Sequence, residues 1–201
     1  MKACETSLPE NYREVYHIDA TNKKTGVLLN LCSLLPVIGM LLVFACTVSA
    51  KDFGLDELEN FPKLLFLLGG LLLGIFVYVI LHELTHGVVY KLLTKQKLTF
   101  GLSWSCAYCG VPNVYVYRKT AILALIAPFA LFTVILLPLT IVFAFFNVYL
   151  YIIFGFVFAM HIGGCSGDLY MFGLLLFKYK NPALLLRDSG PEQWLYLPET
   201  M

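Results

Sequence analysis

The chain has 201 residues, of which 59% are hydrophobic and 13% charged, with a net charge of +1 and a mean hydropathy of +0.79. A soluble domain of this length does not carry so apolar a composition, and the near-neutral balance has no basic patch interleaved with aromatics, so nucleic acid is excluded as a partner. The chain reads as an integral membrane unit whose surroundings are the lipid bilayer.

Residues 1–25 form a polar N-terminal segment, 26–180 an integral membrane domain, and 181–201 a polar tail. A transmembrane helix needs about 20 apolar residues, and four stretches supply them: 26–49, 63–91, 120–145 and 148–177. Asn147 is the polar break between the last two, and Pro128 and Pro138 are expected to bend the third. Lys23 and Lys24, then Lys91, Lys95, Lys97, Arg118 and Lys119, then Lys178, Lys180 and Arg187 all fall on one side of the four spans. The opposite loop, 51–62, sets Asp52, Asp56, Glu57 and Glu59 against Lys51. The positive-inside rule therefore predicts a multi-pass cell-membrane protein with both termini and the 92–118 loop in the cytoplasm. Within that loop, Thr99–Trp104 and Val114–Tyr117 show strand-like residue choice around Gly110 and Pro112, which predicts a short β-hairpin at the membrane interface. The expected fold class is thus all-α and polytopic, with four transmembrane helices and one hairpin.

The second span ends in Leu81-His82-Glu83-Leu84-Thr85-His86-Gly87. On a helix, positions 82 and 86 lie one turn apart on the same face, so two imidazoles can hold one Zn²⁺ while Glu83 serves as base toward an attacking water. Given four His in the chain, an accidental match is expected on the order of 0.003 times. Three ionisable side chains within five residues each cost about 2.5 kcal/mol or more in hydrocarbon unless they pair, ligate or meet water. Thr85 faces away from the histidine stripe.

Depth along the membrane supplies a third ligand. His82 lies nine residues before Lys91, about 14 Å from the basic flank of a helix running toward the cytoplasm. Asp168, the acid of the fourth span, lies ten residues before Lys178, about 15 Å from the same boundary. The two depths agree. Gly163, Gly164, Ser166 and Gly167 precede Asp168, and Gly69, Gly70 and Gly74 precede the histidines; small residues allow close helix approach and local loosening. His161 stands two turns before Asp168, about 10 Å away, too far to share its ion. His161 and Trp104 of the hairpin are candidate substrate contacts, with a hydrogen bond to a neighbouring helix the other reading of His161. The pair Cys106 and Cys109 has no second pair to complete a tetrahedral site.

This arrangement resembles the site-two class of intramembrane metalloproteases, with His-Glu-x-x-His on one membrane helix, a hairpin region, and Gly167-Asp168 on a later helix. It is more closely similar to a bacterial family of zincin-type peptidases of unknown function, through His82–Gly87, Ala127-Pro128-Phe129 and His161–Leu169. The resemblance implies Zn²⁺ held by His82, His86 and Asp168, Glu83 as catalytic base, and a membrane-protein or peptide substrate cut near the cytoplasmic face. Against the site-two pattern, His161, Gly163 and Gly164 stand where Asn and Pro are usual, and Asp168-Leu169 replaces Asp-Gly. A non-catalytic scaffold or chaperone stapled by zinc is the alternative, and a haem bundle is disfavoured by the axial offset of His161.

Overall fold

The computed structural model describes residues 2–49 and 61–199. Four helical stretches are long and apolar enough to cross a membrane: Lys23–Thr47, Phe61–Thr94, Arg118–Phe146 and Val148–Lys178. Their ends fall within three residues of those expected from the apolar runs. The expected acidic loop lies, for residues 51–60, outside the described residues. Helices α1 (Lys23–Thr47), α2 (Phe61–Thr94) and α3 (Arg118–Phe146) are continuous, α3 passing both of its prolines without interruption. The fourth stretch is not one helix. It divides into α4 (Val148–Gly164), α5 (Ser166–Gly173) and a π-helical turn, Leu174–Lys178. Asn147 is the N-cap of α4, its side-chain oxygen accepting from the Leu150 N–H at 3.0 Å, so the polar break works by satisfying an orphan donor.

By compactness the chain forms two units, one from the described parts of Met1–Asn30, Leu81–Pro128 and Ser166–Met201, the other from those of Leu31–Ile80 and Phe129–Cys165. In the first unit the all-α expectation fails. Strands β1 (Cys4–Glu5), β2 (Tyr12–Asp19), β5 (Tyr115–Tyr117), β6 (Leu185–Asp188) and β7 (Glu192–Pro198) make a five-stranded sheet in the order β1-β5-β6-β7-β2. The neighbouring strands are all antiparallel. The longest pairing runs from Tyr12 opposite Pro198 to Asp19 opposite Glu192, with a bulge between Glu14 and Tyr16. The sheet's fully buried Val116, Leu186 and Leu195 pack with Tyr90 of α2, Ala121, Ala124 and Leu125 of α3, Met171 of α5 and Leu175 of the π turn. Each strand is too short to hold this face alone, and pairing plus helix cover makes it stable.

The hairpin exists with a different second strand. β3 (Thr99–Leu102) pairs with β4 (Ala107–Gly110), Thr99 standing opposite Gly110 and Leu102 opposite Ala107. Ser103 ties the turn: its N–H donates to the Cys106 carbonyl at 2.8 Å and its Oγ accepts from the Cys106 N–H at 3.1 Å. Val114–Tyr117, the expected partner, instead forms β5 inside the larger sheet, because Val114 and Val116 are fully buried there and an interfacial hairpin would leave them wet. At the base of the same unit Arg118 donates from Nε and Nη2 to the Leu175 carbonyl at 2.9 and 2.7 Å, and from Nε to the Tyr179 carbonyl at 3.0 Å. These are carbonyls that a helix end leaves without intrahelical donors.

The second unit is helical. Gly70 lies against Ile153, where a Cβ would collide with that side chain, and a Cβ on Gly74 would stand 3.0 Å from Val157. Gly70 and Gly74 thus receive α4 as the small-residue reading expected, whereas Gly69 meets nothing within 4 Å. Gly163 packs on the backbone carbonyl of Ser33 in α1, which any side chain would strike. Phe44, Leu67, Tyr151, Ile152 and Ile153 form one cluster of this unit, and Tyr78, Phe132, Leu136 and Val157 another.

Candidate metal centre

The heptapeptide read from sequence lies wholly on α2, with His82 and His86 each 7% exposed. The 3.6-residue repeat of the helix carries both rings to one face on successive turns. Asp168 comes from α5. The chain leaves the helix at Cys165, whose N–H donates back to the Gly163 and His161 carbonyls, and α5 restarts at Ser166 with Asp168 in its first turn. A carboxylate is favoured there by the helix dipole. The break also meets the expectation that the glycine-rich turn loosens just before the acid.

All three side chains sit in one unit and converge. His82 Nε2 is 3.3 Å from Asp168 Oδ2, His86 Nε2 is 3.2 Å from the same oxygen, and the two Nε2 atoms are 3.3 Å apart. Three ligand atoms held tetrahedrally about 2.0–2.1 Å from one zinc ion are separated by about 3.3–3.4 Å. The triangle therefore fits the ion in ligand type and in size, and His82, His86 and Asp168 are a group able to hold a metal. Three protein donors would leave a bound zinc room for a water or substrate oxygen, as hydrolytic zinc sites require.

Two neighbours complete the arrangement. His86 Nδ1–H donates to the Ala124 carbonyl of α3 at 2.9 Å, which fixes the tautomer and leaves Nε2 as the lone-pair donor. Glu83, next to the first ligand and half-buried, makes no hydrogen bond or ion pair among the described residues. Its carboxylate stays available to a proton. Thr85 returns its hydroxyl to the Leu81 carbonyl at 2.8 Å and plays no part in the triangle.

The other candidates take other partners. His161 belongs to the helical unit, is fully buried, and bonds Tyr78 Oη through Nδ1 and Thr133 Oγ1 through Nε2, both at 3.0 Å. Trp104 stays largely exposed at the β3–β4 turn; its Nε1–H donates to the Thr21 carbonyl at 3.1 Å and its ring lies over Gly26. This anchors the hairpin to the start of α1. Cys109 is buried in β4, where burial, aided by the Asp188 carboxylate, pushes its thiol up to about 12, so it stays protonated and no thiolate is offered to a metal. Sequence reasoning missed two groups. The Ala124 carbonyl is backbone and has no residue signature. The second is Asp188, 3% exposed, which accepts from Tyr90 Oη at 2.6 Å, the Gly190 N–H at 2.9 Å and Gln193 Nε2 at 3.3 Å. Tyr90 continues the 82, 86 stripe by one more turn and buttresses the ligand helix against the sheet.

A family model described as "Putative zincin peptidase" matches residues 75–183, more than half of the chain, and includes all three converging side chains and Glu83. No curated protein and no solved structure matches the chain.

Proposed function

The chain belongs to the zincin peptidase family, and on that premise we propose that it is a zinc-dependent membrane endopeptidase that cuts a membrane-protein or peptide substrate near the cytoplasmic face. The observation that carries this reading is the 3.2–3.3 Å triangle of His82, His86 and Asp168, sized for zinc and adjoined by an unpaired carboxylate. A zinc ion held by His82, His86 and Asp168 would supply Lewis acidity toward a water and the scissile carbonyl. Glu83 would take a proton from the attacking water and pass it to the leaving amine nitrogen. His86, locked by Ala124, and Asp168, set by the first turn of α5, hold their ligand atoms without rearrangement.

The lipid bilayer as surroundings is supported by the four apolar helices, and the cytoplasmic placement of both termini and of residues 92–118 by the one-sided Lys and Arg distribution. Cysteines placed singly at positions 56 and 95 of a cysteine-free background check the orientation: position 56 is labelled from outside intact cells and position 95 is protected. The reverse pattern removes the cytoplasmic assignment.

Glu83→Gln tests the chemistry. The amide keeps the side chain's shape and cannot take the proton, so peptide hydrolysis falls by about 10²–10⁴-fold while zinc content stays at the wild-type ratio. A Glu83→Gln protein that holds zinc and fully complements a null strain would leave the zinc-stapled scaffold as the reading to adopt.

A further inference from the structure

The hydrogen bond that orients His86 depends on a carbonyl that an ordinary helix would not release. In an α-helix the carbonyl of residue 124 accepts from the N–H of residue 128. Residue 128 is proline, which has no N–H to give. Ala124 is fully buried, so its carbonyl would otherwise be left without a donor in a dry setting. The His86 Nδ1–H fills that position at 2.9 Å, and the imidazole gains the acceptor that keeps the proton on Nδ1 and the lone pair on Nε2.

We infer that Pro128 is a positioning residue of the metal centre: by withholding one backbone donor on α3 it hands the Ala124 carbonyl to His86, and so aims Nε2 at the ligand triangle. This deepens the zinc reading and rests on it. The same helix carries an internal control. Pro138 deprives the Val134 carbonyl of its donor in the same way, and Val134 is 74% exposed in the unit that does not hold the triangle.

The experiment measures Zn²⁺ affinity of the full chain in mild detergent, by competition with a chelating indicator. Pro128→Ala restores an N–H that competes for the Ala124 carbonyl, and weakens Zn²⁺ binding by about 10- to 100-fold, the cost of losing a ligand's orienting partner. Pro138→Ala restores an N–H of no consequence to the site and leaves affinity within about twofold. A lactic acid residue at position 128, which places an ester oxygen where alanine carries its N–H, removes the proline ring without adding the donor. It returns affinity to within about threefold of wild type, an outcome that a role in helix shape or folding would not give. Wild-type affinity in Pro128→Ala, or an ester variant as weak as Pro128→Ala, overturns the positioning role and leaves the zinc site standing. A wild-type chain that takes up no Zn²⁺ overturns both.

Discussion

The chain holds two buried histidine clusters that use the same ring for opposite ends. In the unit containing the sheet, His82 and His86 turn Nε2 toward each other and toward one Asp168 oxygen, all within 3.3 Å. In the helical unit, both nitrogens of His161 meet hydroxyls, Tyr78 Oη on one side and Thr133 Oγ1 on the other, within a surround of Phe129, Phe132 and Phe158 rings. A hydroxyl both gives and takes a hydrogen bond, so it can satisfy either nitrogen of a neutral ring. Two imidazole nitrogens and a carboxylate oxygen gathered within 3.3 Å can each offer a lone pair to one cation. The lesson is that burial and proximity do not distinguish a ligand histidine from a structural one, whereas the chemistry of the facing atoms does.

The largest expected effect separates the clusters by metal content. Asp168→Ala and His82→Ala each remove a direct bond, and zinc per protein falls from about one to near zero. His161→Ala keeps zinc near the wild-type ratio, as elemental analysis of the purified variants will show. If His161→Ala strips the metal while Asp168→Ala retains it, the comparison is inverted and the ligand set is wrong. The same His161 variant sharpens the comparison through stability. It leaves the buried Tyr78 hydroxyl and the half-buried Thr133 hydroxyl without that partner, at about 1–3 kcal/mol for a buried group left unsatisfied, read as a lowered unfolding midpoint in detergent. A midpoint within experimental error of wild type would remove the structural assignment of His161.

A smaller effect concerns the sheet that backs the ligand helix. Burial pushes the Asp188 carboxyl up from the ordinary carboxylate range to about 6, against the lowering influence of the Tyr90 hydroxyl and the Gly190 N–H. A folded-state value above the unfolded one means that the folded state binds the proton more tightly, so stability rises as pH falls through about 6. Between pH 8 and pH 5 the gain from this one group is about 1.4 kcal/mol. Asp188→Asn has no proton to bind, and the difference in unfolding midpoint between variant and wild type should narrow or widen with pH accordingly. A pH-independent difference would show that Asp188 has the same affinity for its proton folded and unfolded.

Legibility in the sequence followed the range of the interactions. The four spans are local runs of apolar residues, and their ends were readable because Lys, Asn and Arg punctuate them. The His82 and His86 pair is local as well, one helical turn. Asp168 is distant in sequence and was still readable, because Lys91 and Lys178 give the two apolar runs a common ruler. The sheet had no such ruler. Its longest ladder joins Tyr12 to Pro198, across nearly the whole chain, and its strands range from two to eight residues, too short for alternation to stand out beside apolar helices. The hairpin partner was misassigned because Val114–Tyr117 and Ala107–Gly110 both fit a strand, and burial rather than residue choice decided between them. Pro128 was visible from the start as a bend. Its second meaning, a carbonyl released four residues earlier, required knowing that His86 lies opposite.

The pairing of β2 with β7 also governs when the centre can exist. The candidate ligands arrive at residues 82, 86 and 168, but the sheet under them closes only once residues 192–198 have been synthesised and have found residues 12–19. Contacts of such long sequence separation form slowly. During synthesis, with the fourth helical stretch emerging, the nascent chain has its histidines without the β6 and β7 strands that pack behind Tyr90. Completion of the candidate centre is thereby delayed until residues 192–198 are available to pair with residues 12–19.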